Sequence, residues 1–262
     1  RLGDDAIAVG LIYRGDAVAE AGTAATTAAG AFGNDTNRQP LAQTFRPLNG
    51  GEAVTVVVNH FKSKGSCPDD GVNAEQGDLQ GCWNAERVAA AEQLLSWLES
   101  DPTGADEGNR LITGDLNSYA MEDPITTLRD AGLVDLIQRF QGEEAYSYTY
   151  MGEAGYLDHA LASEALNGKV LAAHEWHANA DEPVALAYGL PDYQSDDQHR
   201  LYYAADAWRA SDHDPVIVDL ALSGDAGGPD PEGDAGDGGD SDGGGLGYGL
   251  LLMLAGLLRR RH

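Results

Sequence analysis

The sequence predicts a layered α/β domain in which sheet packs on sheet and helices lie outside. Three observations carry this. Short apolar runs recur along the chain, each closed by Gly, Asn or Pro, which is the pattern of buried strands. Few helical segments separate them. Setting aside a Gly/Asp-rich C-terminal stretch leaves roughly 220 residues, enough for one large domain with its own core. Many strands with few helices pack most simply as face-to-face sheets with helices on the outer faces.

Taken in order, the chain begins Arg1-Leu2-Gly3-Asp4-Asp5 and enters Ala6–Tyr13, which reads as a buried strand. A strand so near the first residue needs a neighbour, so a further piece upstream, with any signal peptide, is expected. Ala21–Asp35 is small and polar and reads as a mobile loop. Leu41–Phe45 and Val54–Val58 are strands. Asn84–Glu99 has Val88, Ala91, Leu95 and Leu98 at helical spacing, with Asp101-Pro102 ending it. Arg110–Thr113 is a strand running into Gly114-Asp115-Leu116-Asn117. A helix starts at Met121–Pro124 and ends near Ala131-Gly132. Further strands are expected at Tyr146–Tyr150, Leu157–Ala162, Lys169–Trp176 and Val216–Leu222. No internal repeat, GxGxxG or P-loop is present.

The formal net charge is -27. A polyanionic partner gains affinity chiefly from Lys and Arg, so this balance argues against one. The lysines complicate that reading. There are only three, Lys62, Lys64 and Lys169, and two fall in Asn59–Gly65. So acidic a surface suits a high-salt setting, and lysines retained in it are expected to have a task. Cys67 and Cys82 bracket a polar loop, which favours a disulfide and an oxidising compartment.

Gly224–Gly245 is mostly Gly and Asp and should be a disordered linker. It leads to an apolar stretch, Leu246–Leu258, closed by Arg259-Arg260-Arg261-His262. The apolar run falls short of the ~20 residues that span a bilayer comfortably. The expected organisation is therefore a domain over 1–223, a linker over 224–245 and an apolar tail with a basic end over 246–262.

Groups that carry chemistry sit just after apolar runs, where strand ends on a rigid sheet hold side chains well. Asn59 and His60 follow Val54–Val58. Asp115 and Asn117 follow Leu111-Ile112. Asp158 and His159 lie in Tyr156–Leu161, and Asp212 and His213 precede Val216–Leu222. Arg38 lies in Asn37-Arg38-Gln39-Pro40. Carboxylates can hold a divalent cation, histidine oriented by a carboxylate moves protons near neutrality, and Asn, His, Arg and Lys meet phosphate charge. This set suits phosphoester hydrolysis. Neighbours on a strand face opposite sides, so His159 is read as structural. His174-Glu175-Trp176-His177 would need a helix to make a metal pair. Trp83, Trp97 and Trp208 read as packing residues, and Asn84 and Arg87 as tethers of the cysteine loop.

GDLN, then YLDHAL, then SDHDPV, with NHFKSKG upstream, resembles the endonuclease/exonuclease/phosphatase superfamily typified by DNase I. The likeness runs from Ala6 to about Leu222 and is nearest the extracellular bacterial nucleases of the ExeM type. It implies a four-layer αββα sandwich, here lacking its N-terminal part, and a Mg²⁺-dependent hydrolysis of DNA, with RNA as an alternative substrate and Mn²⁺ or Ca²⁺ as alternative metals. It implies that His60 contacts the scissile phosphate and moves a proton. Asp115 would orient or activate water beside Asn117, and bind metal together with Asp212. Asp158 would pair with His213. Arg38, Lys62 and Lys64 would contact substrate phosphates, and Cys67 and Cys82 would form the bracket of the family's cysteine loop. The family's upstream metal-binding Asn and Glu have no counterpart here. The tail resembles a GlyGly-CTERM sorting signal, which implies export, transient membrane association, processing near Gly243–Gly245 and a monomer at the cell surface or outside it. A phosphoesterase for phospholipid or inositol phosphate, and a non-catalytic acidic module that binds cations, are the competing readings.

Overall fold

The run Val54-Thr55-Val56-Val57-Val58 is apolar on both faces and β-branched throughout, so it is suited to the centre of a sheet covered on both sides. In the computed structural model, which describes residues 2–3, 7–33, 36–187 and 194–222, it is central. The elements are β1 (Val18–Thr26), β2 (Leu41–Pro47), β3 (Val54–His60), α1 (Asn84–Glu99), β4 (Arg110–Asp115), α2 (Asp123–Asp130), β5 (Val134–Asp135), α3 (Leu136–Gln141), β6 (Tyr148–Tyr150), β7 (Glu153–Gly155), β8 (Asp158–Ala162), α4 (Glu164–Asn167), β9 (Val170–Glu175), α5 (Asp196–Tyr202) and β10 (Val216–Leu220). The main sheet has the order β1-β2-β3-β4-β8-β5, and only β3 and β4 run parallel within it. A parallel pair needs a crossover, and α1 supplies it.

Strand alternation divides the core in two. Val56, Val58, Leu111, Ala160 and Ala162 face Val170, Ala173, Val216 and Val218 of the antiparallel β9–β10 pair. Their neighbours Val57, Ile112 and Leu161 face the opposite way, onto Ala90, Ala91, Leu94 and Leu98 of α1 and Ile125 and Leu128 of α2. Helices, main sheet and second sheet are thus successive layers, with α3 against the second sheet through Leu136, Ile137 and the bond from Gln141 Nε2 to the Ala173 carbonyl at 2.8 Å. This is the sandwich expected from the sequence.

Two segments differ from expectation. Residues 7–13 form no strand. Val9 is buried and Leu11 packs against the inter-sheet core, yet no strand among the described residues lies alongside to complete a ladder. The apolar pattern records that packing, while strand formation needs a hydrogen-bonding neighbour. Of the supposed loop Ala21–Asp35, residues 21–26 instead complete β1, antiparallel to β2 with a register shift between Ala21 and Ala25, while residues 27–33 are loop with one short 3-10 turn at Gly30–Phe32. β1 is an exposed edge strand of Ala, Gly, Thr and Glu, with no apolar alternation to betray it. Backbone pairing holds it, including the bond from Thr23 N to the Thr103 carbonyl at 2.9 Å. The helix α1 has the expected limits, but its buried face is Arg87, Ala90, Ala91, Leu94 and Leu98.

The Cys67–Cys82 disulfide is present. Closing a loop of this length contributes about 3 kcal/mol in the chain-entropy view. Arg87 is fully buried and donates to the carbonyls of Lys62, Gln80 and Cys82 and to Ser118 Oγ. It fastens the cysteine loop to the sheet, as expected. Asn84 does not share this task; its amide reaches Asp123 at the start of α2. The linker and tail, with the supposed sorting signal, lie outside the described residues.

Gly114 pairs with Asn59 across β3–β4 at φ +124°, and a Cβ there would stand 2.1 Å from the Asn59 carbonyl oxygen. Both backbones would have to move. Gly114→Ala is expected to cost about 3 kcal/mol, from strain at this φ and overpacking. The urea midpoint of the purified variant checks this, and a midpoint equal to wild type contradicts it.

Candidate active site

Register places the first three groups. β3 pairs with β4 so that His60 stands opposite Asp115, and β4 pairs with β8 so that Asp115 stands opposite Asp158. Three polar side chains therefore form a row at one level across three neighbouring strands. His60 has the same strand parity as Val56 and Val58, which places it on the face toward the second sheet. Its Nε2 lies 3.5 Å from Asp115 Oδ2. His159 takes the other face. It is fully buried, its Nε2–H donates to the Ser118 carbonyl at 2.8 Å and its Nδ1 lies 3.6 Å from Asp135, so it braces the sheet as expected.

The GDLN turn clamps Asp115. Asn117 adopts φ +48°, a left-handed conformation that Asn tolerates better than most residues. This turns its backbone N–H onto Asp115 Oδ1 at 2.8 Å, while its side-chain amide donates to Oδ2 at 3.1 Å and to the Phe61 carbonyl at 3.0 Å. Burial, with the charge of Asp158 beside it, pushes the Asp115 carboxyl up to about 7 despite the opposing pull of His213 and the Asn117 amide.

The fourth group arrives from the second sheet. The loop before β10 carries His213 to Asp158, with Nδ1 and Oδ2 2.7 Å apart. Burial pulls this imidazole down, but the Asp158 hydrogen bond and charge, with Asp115 and Asp212 nearby, prevail and push it up to about 9. Asp158 has a second partner that sequence reasoning missed. Ser147 is buried and donates its hydroxyl to the same Oδ2 at 2.7 Å, accepts from the amides of Leu157 and Asp158, and offers its carbonyl to the amide of Asp214. A serine one residue before β6 gives no signal in sequence; only the fold brings it beneath Asp158. Asp214 is the loop's anchor. It is buried and accepts from the amides of Asn179 and Ala180 at 2.8 and 2.9 Å, with His177 Nδ1 at 2.9 Å. Asn179 in turn donates to the His213 carbonyl at 2.7 Å. His177 therefore stands beyond the end of β9 as a partner of Asp214.

His60, Asp115, Asn117, Asp158, Asp212 and His213 all line one cavity of about 600 Å³, and Lys64 joins them. Lys64 is paired with Glu122, and its ammonium lies over the Tyr119 ring. Arg38 and Lys62 do not line it. Lys62 donates to the carbonyls of Ser63 and Gly65 and sits over the Trp83 ring at 4.9 Å, holding its own loop. The Trp83 indole donates to the carbonyls of Gly65 and Ser66, and Trp97 packs on the helix-side core, whereas Trp208 is half exposed.

No three His, Cys, Asp or Glu side chains among the described residues come close enough to hold a metal together. The donors fit a looser cation site. Asp115 is a largely shielded carboxyl raised by desolvation and by a neighbouring carboxylate, and Asp212 is an exposed carboxylate on the same cavity. Mg²⁺ needs only one or two such groups and completes its shell with water and phosphate oxygens.

No protein-family model matches the chain, and no curated protein matches its sequence. Solved structures do. A mannosyl-6-phosphatase from Bacteroides thetaiotaomicron is similar with a TM-score of 0.51 and 14% identity, over 80% of this chain and 69% of that one. An endonuclease/exonuclease/phosphatase from Bacteroides vulgatus is similar at 0.48 and 14%, over 80% and 69%. The human Nocturnin catalytic domain with bound sulfate is similar at 0.42 and 18%, over 57% and 49%. The chain thus spans about half to two thirds of the length of these structures. The likeness to the mannosyl-6-phosphatase shows the fold, a DNase I-like sandwich.

The His213–Asp158 pair sets a pH dependence. A histidine raised to about 9 stabilises the fold fully below its unfolded value near 6.5 and loses that contribution as pH rises through about 9, some 3 kcal/mol in all. Asp158→Asn removes the largest upward influence and leaves the burial, so His213 should titrate well below its wild-type value. Ring-proton NMR titration in chelator checks this, and an unchanged titration contradicts it.

Proposed function

We propose that this chain carries the catalytic groups of a metal-dependent phosphodiesterase that acts on DNA outside the cell. The observation that carries the reading is the assembly of His60, Asp115, Asp158 and His213 on three adjacent strands and one facing loop, around a single cavity. Fold likeness alone would not suffice, because one fold hosts many chemistries.

The acid–base division follows from environment. Asp115, fixed by Asn117 beside His60, is suited to orient an attacking water and take its proton. His213, near 9, is protonated there. Its Nδ1–H is committed to Asp158, so Nε2–H is the proton it can deliver to the departing oxygen as the P–O bond breaks. His60 stands beside Asp115 as a donor to a phosphoryl oxygen. Asn117 keeps the Asp115 carboxyl fixed, and Ser147 does the same for Asp158. Asp115 and Asp212 would hold the divalent cation, Mg²⁺ first among candidates, which supplies charge to polarise the phosphoryl group. Lys64 is the phosphate-facing lysine of this reading, since it alone of the three lies in the cavity wall. The disulfide supports an oxidising compartment and hence export. The ExeM-type resemblance, the processed tail and the monomeric state belong to the same proposal.

Plasmid DNA with Mg²⁺ tests it on the natural full-length protein. His213→Ala should lower kcat by about 10²–10⁴-fold, the usual size of a lost acid–base group. Unchanged hydrolysis would sink the reading. Chelation should abolish cleavage, and added Mg²⁺ should restore it; cleavage that persists in chelator would remove the metal from the proposal. Phospholipid or inositol phosphate turned over in place of DNA would move the substrate class within the fold.

A further inference from the structure

Three tyrosines stand in the wall of the same cavity: Tyr119 after β4, and Tyr148 and Tyr150 on β6. Alternate residues of a strand share a face, and the Tyr148 and Tyr150 rings lie nearly parallel, 14° apart with centroids separated by 6.5 Å. Tyr148 also lies against the His213 ring, with centroids 4.5 Å apart. Tyr119 is held from two directions. The Lys64 ammonium lies 4.6 Å from its centroid, and Gly155 of β7 makes room for it, since a Cβ there would stand 2.9 Å from the ring. Tyr150 is 57% exposed although it borders the catalytic groups. Neither core therefore accounts for these rings, which are absent from both apolar clusters.

We propose that Tyr148 and Tyr150, with Tyr119 beside them, form a stacking subsite for the nucleobase adjoining the reacting phosphate. The proposal rests on the phosphodiesterase reading above. Two observations favour a base. First, the chain carries a formal charge of -27, and Lys64, already paired with Glu122, is the only Lys or Arg in the described cavity wall. Lysine and arginine therefore contribute little attraction for phosphates here, and a contact that needs no charge adds affinity. Base–aromatic stacking is such a contact, and it tolerates every base because each has a π-face. Second, the Tyr148 ring also lies against the His213 ring, so a base seated on these tyrosines lies beside the polar groups of the cavity where the adjoining phosphate would sit.

The test compares a short single-stranded oligonucleotide with a strand of equal length built from abasic units. Affinity is read by fluorescence anisotropy in chelator, and kcat/KM for both strands is read with Mg²⁺. Wild type should favour the base-bearing strand by about tenfold, the order expected for one stacked base. Tyr150→Ala should bring the ratio close to one, and Tyr150→Phe and Tyr150→Trp should restore it. Tyr150 is the residue to change because Tyr148 packs on His213 and its loss would disturb the proton donor. A ratio equal in wild type and Tyr150→Ala overturns the subsite, as does a failure to bind either strand. Displacement of the oligonucleotide by a hexose phosphate but not by a nucleoside monophosphate also overturns it. A preserved affinity ratio in a protein that hydrolyses no phosphodiester supports the stacking subsite and overturns the reading of the reaction, so the two failures are distinguishable.

Discussion

The candidate site depends on one close backbone approach, that of Gly114 to Asn59 in the parallel β3–β4 pair. Parallel strands fix register through evenly spaced hydrogen bonds. Here that register sets His60 level with Asp115, and the antiparallel β4–β8 register sets Asp115 level with Asp158. A slip of one residue would turn every one of these side chains to the helix face. The absent side chain at Gly114 permits the pairing next to the catalytic level, and the turn that follows gives Asn117 its left-handed φ and its hold on Asp115. Second-sheet groups reach the row only because Val216 and Val218 pack between the sheets and fix the loop before β10.

Electrostatics at this row is held by opposing charges at short range. Asp115 and Asp158 disfavour one another, and His213 offsets both. At about 4 Å two unit charges interact by about 4 kcal/mol at an effective dielectric of 20, enough to move titrations by several units. Elsewhere the few cations are spent on structure. Arg87 holds the cysteine loop, Lys62 its own turn, Lys64 Glu122, and Lys169 Glu52 and Asn109. All three lysines make internal contacts in the fold.

Much of this was legible in sequence because it follows from local pattern. The central strands, α1, α2 and the loops bearing Asp115 and His213 are announced by β-branched runs, helical spacing and closing Gly, Asn or Pro. The sandwich followed from their order, and the motif resemblance named the groups that the fold then brought together. What was not legible is non-local. β1 is a strand because β2 lies beside it, and its Ala- and Gly-rich sequence has no preference to report. Residues 7–13 show the converse, an apolar pattern that packs without a ladder. Ser147 and Asn179 act through partners far along the chain, Asp158 and His213, and nothing in their own neighbourhoods sets them apart. Arg38 and Lys62 were assigned by motif context, yet neither is among the residues that line the cavity.

A chain this acidic can meet a polyanion only under conditions that shorten the reach of charge. Debye screening extends about 8 Å at physiological ionic strength and about 3 Å at 1 M. At the larger distance the surface carboxylates repel phosphate before contact; at the smaller one they are silent beyond their nearest neighbours. Interactions made at contact are then all that distinguishes one face of the protein from another. The Asp158–His213 hydrogen bond, the Asn117 clamp and the Tyr148–His213 ring contact act at 2.7–4.5 Å between partly buried groups, which salt screens little. The same composition that argues against a polyanionic partner in dilute solution therefore leaves short-range contacts to distinguish the cavity, where the fold brings His60, Asp115, Asp158, His213 and the tyrosine rings together.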